Sequence, residues 1–148
     1  FVYFDVQPKT IDEEIEWLEQ VDERWENKIE YNFSIIFDGK VIGGLGFKMN
    51  IHRPHIAEIG MFIDKDYQNK GIAGIAGQLA LQYLFEKEKV EIIRLESLIK
   101  IDNEPSLKAA EKAGFKKEGT LRSCIKDKEG NYVDAYILSI ILKEVLNG

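Results

Sequence analysis

Apolar residues recur at helical spacing from Thr10 to Lys28, at Ile11, Ile15, Leu18, Val21 and Trp25. Thr10 and Glu13 make a capping box at the start of that segment. The pattern then changes to strand type in YNFSIIF and KVIGGLGFKM, which flank Asp38-Gly39, a strong hairpin signal. A second turn at His52-Arg53-Pro54-His55 leads into IAEIGMFI, giving three antiparallel strands. The segment YQNKGIAGIAG opens a helix expected to run to about Lys89, with Ile72, Ile75, Ala76, Leu79, Tyr83 and Leu84 as its apolar stripe. EIIRLESLI, from Glu91 to Ile99, reads as a mostly buried strand, and Asn103 to Ala113 as a short helix stopped by Gly114. Two last strands, Phe115–Ile125 and Tyr132–Leu142, are joined by the turn Lys128-Glu129-Gly130-Asn131. The order α-β-β-β-α-β-α-β-β predicts a mixed α/β (α+β) layer with one strand–helix–strand crossover at its centre.

Repeats, low-complexity tracts and interdomain linkers are absent, and 148 residues fit one domain, residues 1–148. A start at Phe1 rather than Met suggests that N-terminal residues precede this sequence. The formal charge of −6 argues against non-specific binding to nucleic acid or to an anionic membrane, and it suits a cationic partner. Eight acidic residues lie on the polar side of the Thr10–Lys28 segment: Asp12, Glu13, Glu14, Glu16, Glu19, Asp22, Glu23 and Glu26. They form either a solvated face or an electronegative wall beside an amine-binding site. Cys124, alone in the chain, cannot form an internal disulfide, which points to a reducing, cytoplasmic setting. It reads as a small buried or sheet-face residue, with a nucleophile as the other reading. No apolar run approaches the roughly 18 residues of a membrane span. His52 and His55 read as loop residues rather than as metal ligands or a base.

Gly71, Gly74 and Gly77 fall in the first turns of the central helix, where each costs roughly 0.5–1 kcal/mol against alanine. Between a strand ending near Ile63 and a helix, such glycines suit an anion site, because free N–H groups and the positive end of the helix dipole favour phosphate. They equally suit close packing of the helix on the sheet. Neither GxGxxG nor GxxxxGK[ST] is present, so the two common nucleotide motifs do not apply.

Gln68-Asn69-Lys70-Gly71-Ile72-Ala73 resembles the Q/R-x-x-G-x-G/A signature of the GNAT family of N-acetyltransferases. IAEIGMFIDKDYQNKGIA resembles the strand, loop and helix start of the RimJ/RimL branch, and Asn103-Glu-Pro-Ser106 with Glu111-Lys112-Ala113-Gly114-Phe115 resembles its N-x-x-S…EK-x-GF motif. The resemblance covers roughly residues 31–142. It implies a GNAT-type acyl-CoA N-acyltransferase fold: a central, mostly antiparallel sheet splayed between its fourth and fifth strands, with helices on both faces. It implies acetyl-CoA as acetyl donor and no metal. The pantetheine arm would pair with Met61, Phe62 and Ile63 beyond a bulge near Gly60. The pyrophosphate would rest on the Gln68, Asn69, Lys70, Gly71, Ile72, Ala73 and Gly74 segment, with Lys70 adding charge or remaining solvated. Asn103 would bond the pantetheine, cap the following helix, or do both.

The implied chemistry is attack of an unprotonated amine on a thioester carbonyl. A lysine-like or polyamine nitrogen is mostly protonated at neutral pH, so a base must act. Glu58 occupies the family position of that base; the other reading of a strand carboxylate is a solvent-facing or arginine-paired group. A backbone N–H near Phe62 would hold the oxyanion. Many GNATs protonate the leaving thiolate with a tyrosine where this chain has Ala110, whereas the RimJ/RimL branch has a serine, here Ser106. Ser106 could instead bond the backbone of its own helix. The N-terminal FVYFDVQPKT lacks the R-x-L-R-P-like stretch of the family, which leaves acceptor residues from that region undefined. The resemblance thus implies an N-acetyltransferase acting on a primary amine, a protein N-terminus or a polyamine, with a homodimer common in the family. A catalytically weak acyl-CoA-binding sensor is the alternative.

Overall fold

Asp38 and Gly39 both take positive φ, 52° and 76°, as the two central residues of a type I′ turn must. They join β1 (Glu30–Phe37) to β2 (Lys40–Met49) in an antiparallel hairpin. The structure, a computed structural model, describes residue 27 and residues 29–143. The acidic segment from Thr10 to Lys28 and the stretch before it lie outside the described residues, Asn27 apart. The remaining elements are β3 (Ile56–Ile63), a 3-10 turn (Lys65–Tyr67), α1 (Ile72–Glu86), β4 (Arg94–Lys100), α2 (Glu104–Lys112), β5 (Lys116–Lys126) and β6 (Tyr132–Ile141). Strand order is β1-β2-β3-β4-β6-β5, mixed in direction: β3 and β4 run parallel, and the β1/β2, β4/β6 and β5/β6 pairs are antiparallel.

The chain divides into two compact units, and β3 contributes to both. One unit takes the chain up to Pro54 together with Ile59–Glu91; the other takes His55–Glu58 and the chain from Ile92.

In the first unit Tyr31 and Phe47 face each other across the hairpin, both fully buried, with Ile42 and Leu84 also without exposure. Burial pushes the Tyr31 phenol up, and Glu88 adds to the effect. The hairpin register slips between Ile35 and Ile36, which pair with Gly43 and Val41, so Ile42 is the extra residue of a bulge.

Helix α1 ends at Glu86, three residues short of the expected end. Its packed face also differs from the expected stripe. Ala80, Leu81 and Leu84 are buried and Gly77 is half-buried, whereas Ile75, Leu79 and Tyr83 are 59%, 61% and 43% exposed. The face is turned by about a third of a revolution, at 100° per residue. The expected stripe followed the large apolar residues along the chain, whereas the packed face runs through Gly77, Ala80, Leu81 and Leu84, with Gly77 beside Met61 of β3.

In the second unit β4 begins at Arg94 rather than Glu91. Ile92 is buried without belonging to a ladder, so its apolar character reports burial and not pairing. Helix α2 lays Leu107 and Ala110 on Ile99 of β4 and Leu138 of β6, with Phe115 and Tyr136 beside them. Strand β5 carries two bulges against β6: Glu118 is extra in the first, and Arg122 to Cys124 face Asp134 alone in the second. Ser123 takes φ 48° there, and its N–H donates to Asp134 Oδ1 at 2.9 Å.

Across β4, β5 and β6 runs a polar network. Arg94 Nε donates to Glu96 Oε2 at 2.8 Å, and its two terminal nitrogens donate to Glu118. Ser139, 4% exposed, also donates to Glu118. Arg94 and Ser139 together hold the Glu118 carboxyl below its ordinary value of 4.5. A carboxyl depressed in the fold stabilises it above the unfolded pKa, and that gain is lost as pH falls through the folded value. Glu118→Gln should therefore lower the stability at neutral pH, by no more than about 1 kcal/mol for so exposed a pair. The gap to the parent should narrow and close as pH falls through the depressed folded value of Glu118, as thermal melts across the acid range would read.

Candidate active site

The loop between β3 and α1 is braced at both ends. The N–H of Asp64 donates to the Ile42 carbonyl at 2.7 Å, and Gln68 Nε2 donates to the Ile63 carbonyl at 2.9 Å. Gln68 thus ties the loop to the strand end. Asn69 takes φ 63°, which asparagine tolerates, and Gly71 takes φ 79° as N-cap of α1. A glycine cap offers no side-chain acceptor, and the first turn carries no acidic residue. The first helical bond runs from the Ile75 N–H to the Gly71 carbonyl at 3.3 Å. The N–H groups of Ile72, Ala73 and Gly74 are therefore left without an intrahelical acceptor. Lys70 and Lys40 each place Nζ 5.8 Å from the centre of the Tyr67 ring, holding two cations beside the loop.

The three glycines of this segment have different reasons. At Gly71 and Gly74 an added Cβ would meet nothing within 4 Å, so packing asks for neither; the backbone conformation asks for Gly71. At Gly77 a Cβ would stand 3.9 Å from Met61 Cε, an ordinary contact. Close helix packing is compatible with alanine there.

A further glycine, Gly43 of β2, is demanded by packing. A Cβ on Gly43 would lie 2.2 Å from the Phe62 carbonyl oxygen and 3.0 Å from the Ile63 Cα, both fixed backbone atoms. Only glycine lets β2 approach the Phe62–Ile63 end of β3 so closely. The requirement comes from the neighbouring strand, so spacing along the chain gives no signal of it. On β3 itself Met61 and Ile63 are half-buried and Phe62 is 38% exposed. The ladder of β3 with β4 covers Ile56 to Glu58 and ends there, two residues before Gly60.

In the second unit Asn103 caps α2: its Oδ1 accepts the Ser106 N–H at 3.3 Å. Its capping role is thus present, and the amide Nδ2 is left for another acceptor. The Ser106 hydroxyl makes no hydrogen bond among the described residues, and its backbone N–H is the one that Asn103 accepts. Ala110, where many GNATs have tyrosine, packs on the α2 core. Glu58 is exposed and stands in register with Glu96 of β4; it has no ion pair among the described residues. Asn50 Oδ1 accepts the N–H groups of His52 and Arg53, both at 3.0 Å, and both histidines are exposed. Cys124 lies exposed in the β5 bulge. Among the described residues no group of His, Cys, Asp and Glu is placed to hold a metal ion, and no helix is long and apolar enough to cross a membrane.

Residues 2–116 match the acetyltransferase (GNAT) domain family. The chain is 35% identical over 114 residues to p20, an uncharacterized N-acetyltransferase of Bacillus licheniformis, covering 76% of this chain and 62% of that protein. It is 33% identical over 135 residues to the probable N-acetyltransferase YjcK of Bacillus subtilis, covering 89% of this chain and 73% of that one. The fold is that of RimJ from Mycobacterium smegmatis, solved in complex with CoA-disulfide: TM-score 0.79 at 21% identity, over 92% of this chain and 64% of that one.

The loop geometry separates two substitutions. Gly71→Val places a β-branched residue at a φ it does not tolerate and should abolish CoA binding in calorimetry. Gly77→Ala should leave that binding intact and raise stability by roughly 0.5–1 kcal/mol in denaturant melts, the helix propensity gain.

Proposed function

The chain belongs to the GNAT acetyltransferase family, and from that premise we propose that it moves an acetyl group from acetyl-CoA to a primary amine. The acceptor class is a protein N-terminus or a polyamine-like small amine. The observation that carries the reading is the start of α1, where a left-handed glycine inside the matched signature leads into a helix with neither side-chain cap nor acidic residue. The pyrophosphate would accept from the N–H groups of Asn69 to Gly74, with Lys70 adding charge. Gln68 would keep the loop on the end of β3. The pantetheine would run along the backbone of Met61, Phe62 and Ile63, beyond the last rung of the β4 ladder. Asn103 would donate its amide to the pantetheine while its oxygen remains the cap of α2.

Transfer proceeds in a ternary complex. Glu58, directly or through one water, takes a proton from the acceptor ammonium. The freed lone pair attacks the thioester carbon, and a backbone N–H near Phe62 steadies the oxyanion. The oxyanion then collapses and the carbon–sulfur bond breaks; the second proton shed by the nitrogen goes to the departing thiolate, which the Ser106 hydroxyl hydrogen-bonds or protonates by relaying that proton. Its hydroxyl has no partner among the described residues to surrender. Thiolate is a fair leaving group near neutral pH, so the acid at this position contributes less than the base.

An amine panel of N-terminal peptides, polyamines and aminoglycosides, with release of the CoA thiol as readout, tests the reading. Acceptor-dependent thiol release is the expected outcome; CoA binding without it would instead identify an acyl-CoA sensor. Glu58→Gln should lower kcat by about 10²–10⁴-fold with acetyl-CoA affinity unchanged, the usual weight of a general base.

A further inference from the structure

Glu58 and Glu96 are direct partners in the parallel ladder of β3 and β4. Neighbouring strands lie about 4.8 Å apart, and in-register residues present their side chains on one face. Like charges placed opposite one another destabilise a sheet. The surroundings compensate only in part. Arg94 gives Glu96 its Nε–H alone, at 2.8 Å, and spends both terminal nitrogens on Glu118. One guanidinium is thus shared by Glu96 and Glu118, and Glu58 receives no bond from it. Ser139, in register with Glu96 on β6, is neutral and is turned to Glu118; the cationic Lys116 of β5 follows in the same row, beyond Ser139. Neither Glu58 nor Glu96 Oε1 accepts a hydrogen bond among the described residues, so acceptor oxygens of both carboxylates stand open on one face.

We propose that Glu96 is a second acceptor-binding residue, which with Glu58 holds the substrate's ammonium group before it is deprotonated. The inference rests on the acetyl-transfer reading above. An ammonium carries three donors and no acceptor, so it can serve both carboxylates at once. The two carboxylates then have distinct tasks. Glu96 is fixed through Oε2 by Arg94, and it attracts and orients the cation. Glu58, held by no side chain among the described residues, takes the proton. Arg94 is a positioning residue that acts through Glu96.

Glu96→Gln tests this, because glutamine keeps an oxygen for the Arg94 Nε–H and loses only the charge. For an acceptor protonated at the assay pH, the amine KM should rise about tenfold, the weight of one charge-assisted hydrogen bond. The KM for acetyl-CoA should stay unchanged and kcat should change little. For an aromatic amine, neutral at the same pH, the parent and Glu96→Gln should have equal amine KM. Arg94→Lys should raise the amine KM in the parent and add nothing in the Glu96→Gln background. An unchanged amine KM in Glu96→Gln, or an equal rise for the neutral amine, overturns the inference while leaving the acetyl-transfer reading standing. A parent protein that transfers acetyl to no amine overturns both.

Discussion

Parallel strands pair only when a crossover returns the chain to the same end of the sheet, and here α1 supplies that crossover between β3 and β4. The ladder it permits is three residues long, Ile56 to Glu58 against Arg94 to Glu96. Much follows from this short contact. It sets Glu58 beside Glu96, and it brings Arg94 level with Ile56, where the guanidinium reaches Glu96 and the bulged Glu118. It also divides β3. Residues through Glu58 belong to one compact unit, and from Ile59 onward the strand belongs to the other, along β2.

Beyond the division, the geometry of β3 is governed by what β2 lacks. The bulge at Ile42 offers its carbonyl to Asp64, and Gly43 lets the Phe62 carbonyl approach where any side chain would collide. The strand end and the loop after it are thus fixed from the β2 side, and Gln68 fastens the loop back to Ile63. The turn can then afford a glycine cap with no side-chain acceptor, since its position does not depend on capping bonds. The first N–H groups of α1 are left without intrahelical acceptors and the loop still holds its place.

Local chemistry in the sequence carried most of the element order. Asp38-Gly39 fixes a two-residue turn, Asn103 a cap and Gly114 a helix stop, because each depends on backbone preferences of the residue itself. What depends on partners was less legible. The buried face of α1 runs through the small Gly77 and Ala80 as well as Leu81 and Leu84, so the large apolar residues alone do not mark it. The onset of β4 is set by ladder partners, and apolar Ile92 cannot report them. The bulges of β5 have no marker in composition. The same division holds in the candidate site. The glycine loop and Asn103 were visible as motifs, whereas Gly43 and Glu96 matter through residues 19 and 38 positions away, Phe62 and Glu58.

Glu96 shows why register matters more than motif in such a site. Read along β4, Arg94 and Glu96 are an ordinary i,i+2 ion pair on one face of a strand, sufficient to explain each other. Only the rung across to Glu58 reveals an excess of negative charge that the pair does not cancel. An amine acetyltransferase faces a specific difficulty, since its acceptor arrives as a cation and must react as a neutral nucleophile. A single carboxylate that both attracts the cation and takes its proton loses its attraction as it does so. Two carboxylates can divide the tasks, provided one is fixed in place and the other is free to meet the nitrogen. Glu96, fixed through Oε2 by Arg94, and Glu58, without an ion pair among the described residues, lie side by side on adjacent strands through the parallel ladder.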